Sequence, residues 1–325
     1  DGSAIIAAIG EMIVYFSKSS NRPIWRFEGG NAYNVAISRD GTLMAAATAG
    51  DASSVGNQVV LWNSRSKTPL WTYKADSNFH DVAFSEDGRY LSASTGCPDR
   101  RAYLFSVDAN KPVLRSDQLT GDSPVHRARV SRDGSFFAAG SEAGYGAVFL
   151  FAKDKKREVW KFATPGGSSV RALAMTPAGT IAAATFGGDI YVFDKTASEP
   201  THSWKVPGAV GAIDIADDGN LVAAGGTDNQ VYLFKNGEKA GAVALAEYIQ
   251  EIDVSANGKL VAAGTGGAVY FFETFTKNLD KIFPCTTVIE PPSEAEAYAQ
   301  YGDSGGPGVS RGGGTFIDWI IRWVR

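Results

Sequence analysis

Apolar and polar residues alternate in short runs along most of the chain, a period-two pattern that predicts β-strands. Runs such as NVAIS at 34–38 and DVAFS at 81–85 precede a glycine-centred turn. After the turn come runs of β-branched and aromatic residues, such as VYLF at 231–234. Another type of run contains tryptophan, as in LWTY at 70–73. The pattern therefore predicts several kinds of short strand in a fixed order.

The glycine-centred turn recurs seven times, and an alanine stands five residues after each glycine. The residue before the glycine is Asp or Asn in six copies, which is typical of β-hairpins because glycine tolerates a positive φ. The glycines are Gly2, Gly41, Gly88, Gly134, Gly179, Gly219 and Gly258, separated by 39, 47, 46, 45, 40 and 39 residues. Four strands per interval of this length predict an all-β fold, a seven-bladed β-propeller with four-stranded blades.

Over residues 1–283 the repeats resemble those of the WD-repeat-like and quinoprotein-like propellers. The tryptophan of the fourth strand is similar to that in the repeats of quinoprotein dehydrogenases. The Gly-His and Trp-Asp dipeptides of WD repeats are absent, and most third strands end in Phe. The resemblance implies a fold. Proteins that share a fold can have unrelated activities, so no activity is inferred from it.

Composition narrows the function classes. The chain has 325 residues, 44% hydrophobic content and a net charge of −4 without a basic stripe, so we expect a large core and no nucleic-acid partner. No apolar run reaches 18 residues, so no membrane span is expected in this form.

Cys97 and Cys285 fall in different repeats, so a disulfide between them is not expected. A first residue at the turn of a repeat favours a processed, extracellular or cell-surface protein, with a cytoplasmic one as the alternative.

The longest insertions lie in loops of blades two to four, which share one face of a propeller. Loops on a rigid scaffold are the usual place for binding residues. The predicted partner-binding residues are Asp51, Asp99, Arg100, Asp122 and Tyr145. The alternative is tolerated variation in loop length without a function.

Polar residues also alternate with the core positions of the innermost strands, which directs them into the central channel. These predicted channel residues are Asn34, Asp81, Arg127, Arg129, Asp214, Glu251 and Asp253. Among alanines, such a set suits a cation or a small polar ligand. The alternative is that the charges pair with one another.

The composition changes after the seventh repeat. Residues 284–314 are rich in Pro, Gly and Ser and are predicted to be a linker. Residues 315–325 alternate so that Ile317, Trp319, Ile321 and Trp323 form one apolar face, which predicts a strand that completes blade one and closes the ring. The strand belongs to its own chain or is donated by a neighbouring subunit, which would build a filament. A short amphipathic helix is the alternative.

Catalytic motifs are weak. GDSGGP at 302–307 resembles the nucleophile motif of chymotrypsin-like serine proteases, which implies Ser304 as nucleophile, but that family also needs a His and an Asp on a double barrel. His80, His126 and His202 all lie inside repeats. The vicinal cysteines of quinoproteins, zinc-type spacings and nucleotide fingerprints are absent.

We therefore predict a non-catalytic structural or protein-interaction module with no cofactor or metal, which self-assembles if its C-terminal strand is donated to a neighbouring subunit. The alternatives are a quinoprotein-like enzyme or a small-ligand-binding propeller, and more remotely a serine protease.

Overall fold

Antiparallel sheets of consecutive strands make up the protein in a computed structural model. It describes residues 4–9, 12–17, 20, 22–28, 31–50, 56–142 and 144–274, and the backbone of 320–323. Within these ranges there are seven sheets, six of four strands and one of three. This all-β arrangement is consistent with a β-propeller, in agreement with the sequence pattern.

The strand bounds follow the predicted repeats. Sheets 1 to 3 comprise β1 (Ala4–Ile9), β2 (Met12–Ser17) and β3 (Pro23–Glu28); β4 (Asn31–Ile37), β5 (Leu43–Ala49), β6 (Gln58–Asn63) and β7 (Trp71–Lys74); and β8 (Phe79–Phe84), β9 (Tyr90–Thr95), β10 (Ala102–Ser106) and β11 (Pro112–Arg115). Sheets 4 and 5 comprise β12 (Val125–Val130), β13 (Phe136–Ser141), β14 (Ala147–Ala152) and β15 (Trp160–Ala163); and β16 (Val170–Met175), β17 (Ile181–Thr185), β18 (Asp189–Phe193) and β19 (His202–Lys205). Sheets 6 and 7 comprise β20 (Val210–Ile215), β21 (Leu221–Gly226), β22 (Gln230–Lys235) and β23 (Glu238–Ala244); and β24 (Glu251–Val254), β25 (Leu260–Gly264) and β26 (Val269–Glu273). The last strand, β27 (Ile320–Trp323), belongs to sheet 1, and a 3-10 turn spans Pro165–Gly167 between sheets 4 and 5.

The first strands of sheets 2 to 7 (β4, β8, β12, β16, β20 and β24) pack against one another in chain order. Each is followed in its sheet by the next strands of the same repeat, and residues of all six first strands line one cavity, which we call the channel. The predicted channel residues therefore lie on the innermost strands.

The recurring glycine closes the turn between first and second strands. In sheet 2 the N–H of Ser38 donates to the carbonyl of Leu43 and the N–H of Gly41 donates to the carbonyl of Ser38, so four residues form the loop. Gly41 has φ +70°, and its five described counterparts also have positive φ. Asp40 Oδ1 accepts from Thr42 N at 3.0 Å, which explains the preference for Asp before the glycine.

The core is divided among six clusters of buried apolar side chains, each between two consecutive sheets. The alanine five residues after the turn glycine is at most 2% exposed in all seven repeats. It lies in the second strand, where the neighbouring sheets approach closely. A larger side chain there would overpack an interior of near-crystalline density.

Tryptophans in the fourth strands of sheets 1, 2, 4 and 5 link each of these sheets to the next one. The indole Nε1 donates to a backbone carbonyl in the loop between third and fourth strands of the following sheet. These bonds join Trp25 to Ser64 (3.0 Å), Trp71 to Val107 (2.7 Å), Trp160 to Lys195 (3.1 Å) and Trp204 to Gly237 (3.2 Å). The repeated tryptophan therefore contributes a large apolar ring to the packing, and its single N–H donor is hydrogen-bonded.

The C-terminal strand β27 pairs antiparallel with β1, with Ile5 opposite Trp323 and Ala7 opposite Ile321. Its position is the one that the first strands occupy in the other sheets. Ile317, Trp319 and the predicted linker 284–314 lie outside the described residues.

Candidate binding site at the channel mouth

The innermost strands of sheets 2 to 6 carry a β-bulge at the same place in each repeat. In sheet 3, Phe79 pairs with Thr95 and Asp81 with Ser94, so His80 is an extra residue. The bulged residues are Tyr33, His80, His126, Arg171 and Gly211, each eight residues before its turn glycine. A bulge interrupts the alternation of a strand and redirects the extra side chain.

Four of these side chains form a continuous arc across sheets 2 to 5. The rings of Tyr33 and His80 are 5.3 Å apart, and those of His80 and His126 are 5.2 Å apart, both in edge-to-face geometry. Arg171 Nη1 contacts His126 Nε2, and the Arg171 guanidinium lies 4.9 Å from the ring centroid of Phe186. We call these four residues, Tyr33, His80, His126 and Arg171, the mouth arc.

Charged groups support the mouth arc from below and beside it. Arg171 Nη2 forms an ion pair with Glu142, and Arg127 Nε donates to the carbonyl of Arg171 at 2.8 Å. Arg127 is also 3.7 Å from Asp81 Oδ1 and 4.0 Å from Glu251 Oε1. The two arginines, from sheets 4 and 5, therefore lie between carboxylates from sheets 3, 4 and 7.

Asp81, directly after the bulged His80, joins sheets 3 and 4. Its side chain is fully buried, and Oδ2 accepts from the backbone N–H of Ala128 at 2.9 Å and from Arg129. In sheet 6, Asp214 Oδ2 accepts from the N–H of Val254 in sheet 7 at 2.7 Å. Both carboxylates satisfy buried donors of a neighbouring innermost strand, as buried charges require.

Both histidines of the mouth arc are neutral at pH 7. Burial, together with the positive charges of Arg171 and Arg127, lowers the pKa of His80 to about 4. Burial and the same two arginines lower the pKa of His126 to about 2. An arginine only donates hydrogen bonds, so Nε2 of His126 accepts from Arg171 and the ring proton resides on Nδ1.

Several buried polar atoms at the mouth have no hydrogen-bond partner among the described residues. They are both amide atoms of Asn34, Nδ1 of His80, Oδ1 of Asp81, Nδ1 of His126 and Nε of Arg171. Asn34 is fully buried and follows Tyr33 at the bulge. Native proteins rarely leave such groups unpaired, because each costs free energy when it is removed from water.

The other predicted channel residues lie further along the channel. Arg129, Asp214, Glu251 and Asp253 line a cavity of about 180 Å³ that extends to the turns at the opposite end. There Glu86 forms ion pairs with Arg39 and, at 2.8 Å, with Arg132. The two regions are continuous, since Asp81 pairs with both Arg127 and Arg129, and Glu251 approaches Arg127 and also lines the cavity.

The predicted loop residues have different surroundings. Asp99 is 5% exposed, and its carboxylate accepts from Thr95 (3.0 Å), Tyr103 and Arg115 (2.9 Å). Its neighbour Arg100 is partly buried with φ +53°. The carboxylate of Asp99 is thus buried and hydrogen-bonded to side chains of sheet 3.

Asp122 is exposed, and its carbonyl accepts from the thiol of Cys97. Tyr145 is 46% exposed and lies against Gly121. Asp51 and Ser304 lie outside the described residues. Asp122 and Tyr145 are therefore the two predicted loop residues that present side chains to solvent.

All four exposed aromatic side chains of the described chain lie at the mouth end. Tyr33 begins sheet 2, Tyr145 and Phe186 lie between second and third strands, and Tyr248 precedes sheet 7. The exposed aliphatic side chains, Ile24, Leu70, Val113, Val159 and Leu260, lie in or beside fourth strands or at the start of β25. Aromatic exposure is thus confined to one end face, which we call the mouth face.

Sequence reasoning missed the mouth arc. Strict alternation would place the residue eight before the glycine on the core side, where a histidine or arginine is unexpected. The recurrence of polar or aromatic side chains at this repeat position was the available signal.

In the described part of the chain, no group of three or more His, Cys, Asp or Glu side chains is arranged to bind a metal, and no helix is long and apolar enough to cross a membrane.

Comparison with known proteins finds similarity in one repeat. The WD domain, G-beta repeat family matches residues 198–235, which run from β19 of sheet 5 through β22 of sheet 6. No curated protein matches the chain. A segment similar to a WD repeat, within seven antiparallel sheets, supports a β-propeller of the kind that usually serves in protein interaction.

Proposed function

We propose that the protein is a non-catalytic β-propeller that binds a protein partner through its mouth face. The observation that carries the proposal is the confinement of exposed aromatic side chains to this face. Tyr33, Tyr145, Phe186 and Tyr248 are 41–47% exposed there. Aromatic residues are enriched in protein interfaces because they supply large contact areas at low entropic cost.

Charge at the same face favours a defined partner over nonspecific adhesion. Arg171 lies beneath the ring of Phe186 and pairs with Glu142, so an exposed apolar ring is flanked by two charges. A centre of aromatic side chains with charged neighbours is the usual anatomy of a binding surface. The predicted loop residues Asp122 and Tyr145 extend this surface over sheets 3 and 4.

Selection of a displayed random peptide library on the immobilised full chain tests the proposal. We expect enriched peptides whose binding falls at least about tenfold in the variant Tyr145→Ser/Phe186→Ser, since truncating interface aromatics costs more than 1 kcal/mol at such positions. The matched control Leu70→Ser/Val113→Ser removes equally exposed apolar side chains from fourth strands. Equal loss in both variants, or no enrichment on the wild type, contradicts the proposal.

We further propose that β27 closes a ring of seven blades. Its pairing with β1 and the apolar period-two pattern of the tail support closure within the chain. Donation of the same strand to a neighbouring subunit would satisfy β1 equally well and would build a polymer. Deletion of residues 315–325 should lower the melting temperature, and under donation it should also convert any polymer into monomers. An unchanged melting temperature and unchanged size contradict both versions.

A further inference from the structure

Acidic residues outnumber basic ones in the loops of the mouth face. These loops connect second strands to third strands, and fourth strands to the first strand of the following sheet. Their described residues include seven acidic side chains and two basic ones. The mouth face therefore carries an excess of negative charge.

The loops at the opposite end of the protein have no such excess. They are the turns between first and second strands and the connections between third and fourth strands. Their described residues include eleven acidic and thirteen basic side chains. The negative charge is thus a property of one end face rather than of the whole surface.

Three of the seven acidic residues at the mouth face already interact within the protein. Asp99 pairs with Arg101 at 3.2 Å, and Glu142 pairs with Arg171. Asp228 is partly buried and accepts a 2.6 Å hydrogen bond from a tyrosine hydroxyl of β22. These three carboxylates have structural roles, and four others remain.

The remaining four, Asp76, Asp117, Asp122 and Glu247, are exposed to solvent. None of them forms an ion pair with another described residue. Carboxylates of this kind attract an oppositely charged surface and keep a like-charged one away. They therefore limit the partners that the mouth face accepts.

Two of these carboxylates are next to exposed aromatic rings. Asp122 follows Gly121, against which the ring of Tyr145 lies, and Glu247 precedes Tyr248 in the chain. The two tyrosines are 46% and 44% exposed. A Lys or Arg side chain is attracted to the face of an aromatic ring and forms an ion pair with a carboxylate. The mouth face thus has two places that offer both groups to a cationic side chain.

The protein itself uses this combination at the same face. The guanidinium of Arg171 lies 4.9 Å from the ring centroid of Phe186 and also pairs with Glu142. An arginine held by an exposed ring and a carboxylate is therefore already part of the mouth face.

We propose that the partner segment bound by the mouth face is a cationic peptide. Its Lys or Arg side chains contact Tyr145 with Asp122 and Tyr248 with Glu247. The inference rests on the proposed function for the existence of a peptide partner, and it adds the charge of that partner. An acidic face repels the phosphates of nucleic acids and of anionic lipids, so neither suits it as the occupant.

Two displayed peptide libraries of equal length, selected on the immobilised full chain, test the charge of the partner. One library lacks Asp and Glu, and the other lacks Lys and Arg. We expect enrichment from the first library and none from the second. Enrichment from the second library alone, or equal enrichment from both, overturns the inference and leaves the proposed function standing. Enrichment from neither also overturns the inference, and the fully random library then decides the proposed function separately.

Charge variants place the binding site, with an enriched cationic peptide carrying fluorescein as the probe. Asp122→Asn/Glu247→Gln should weaken binding about three- to tenfold at low salt, because each exposed ion pair contributes modestly. The difference should shrink at about 0.5 M salt, where charges are screened within a few ångströms. The matched control Asp154→Asn/Glu158→Gln removes two exposed carboxylates at the opposite end and should leave binding unchanged. Wild-type affinity in the first variant, or an equal loss in the control, overturns the inference.

Ring variants test the contact with the tyrosines. Tyr145→Leu/Tyr248→Leu should weaken binding of the same probe about fivefold or more, because it removes both aromatic faces. Tyr145→Phe/Tyr248→Phe keeps the rings and should bind like the wild type. Equal affinity in the Leu and Phe variants overturns the proposed contact between cations and rings.

Discussion

The indole Nε1 of Trp71 donates a 2.7 Å hydrogen bond to the backbone carbonyl of Val107, so the outermost strand of sheet 2 is fastened to sheet 3. The same ring packs 5.7 Å from Phe105. Three other fourth-strand tryptophans make the equivalent bond to the following sheet. Sheets 1, 2, 4 and 5 are therefore each joined to the following sheet at the outer edge as well as along the channel.

Trp71→Phe should lower the free energy of unfolding by about 1–2 kcal/mol, because it removes this hydrogen bond and part of the buried ring. Urea unfolding measures the change. Tyr73→Phe is the control, since Tyr73 packs in edge-to-face geometry against the same Phe105 ring, with centroids 5.0 Å apart, and the substitution keeps the Tyr73 ring. The control should change the free energy of unfolding by less than about 0.5 kcal/mol, and an equally small change in Trp71→Phe would show that the indole hydrogen bond contributes little.

Asp81→Asn should cost about 3–5 kcal/mol of stability. The substitution leaves Arg129 and Arg127 without the charge of their buried partner and weakens the bond from the N–H of Ala128. Thermal unfolding followed by circular dichroism provides the measurement. Asp122→Asn, at an exposed carboxylate, should change stability by less than about 0.5 kcal/mol. Equal effects in the two variants would refute a structural role for Asp81.

Stability should fall as the pH decreases from about 6.5 toward 4. The pKa of His80 is lowered to about 4 and that of His126 to about 2, whereas an unfolded histidine titrates near 6.5. The unfolded chain therefore binds more protons in this window, and each histidine should remove about 2 kcal/mol of stability by pH 5. The effect is fully absent above pH 7, where both states are neutral.

Urea unfolding at pH 7 and pH 5 tests this dependence. The variant His80→Gln/His126→Gln should show a much smaller difference between the two pH values than the wild type. His202→Gln should keep the wild-type difference, because His202 is exposed. The buried-histidine explanation fails if the double variant and the wild type lose the same stability at pH 5.

The turn glycines should differ in their tolerance of alanine. Gly41 and Gly134 have nearly equal φ, +70° and +72°, but a Cβ at Gly41 meets no atom within 4 Å, whereas one at Gly134 collides with the ring of Tyr90. Gly41→Ala should therefore cost about 1 kcal/mol from backbone strain alone. Gly134→Ala should cost about 1–3 kcal/mol more, because the ring must move. Melting temperatures of the two variants provide the comparison, and equal losses would contradict the collision.

Local pattern predicted much of the scaffold. Period-two alternation, positive-φ glycines and β-branched runs depend on neighbours within a few residues, so they identified the hairpins around Gly41 and its counterparts. The repeat length then predicted sheets of four strands. The buried alanines and the tryptophan of the fourth strand were visible as repeats, although their contacts with the next sheet were not.

Other features depend on groups that are distant in the chain. His126 and Arg171 are 45 residues apart and meet because a bulge in each innermost strand turns both side chains toward the mouth. Asp99 looked like a loop residue, yet Arg115 and Tyr103 enclose its carboxylate. The strand alternation that placed Asp81 and Arg127 in the channel could not reveal the bulge one residue away.

The sequence by itself determined the strands, the turns and the repeated packing positions, because these follow from backbone preferences and from the burial of one strand face. The tertiary structure decided which polar side chains come together at the channel mouth and which carboxylates are used internally. The physical reason is that burial and pairing of a charge depend on the register between neighbouring sheets. In sheets 2 to 6 a single extra residue in the innermost strand shifts its pairing with the second strand and redirects the side chains that face the neighbouring sheets.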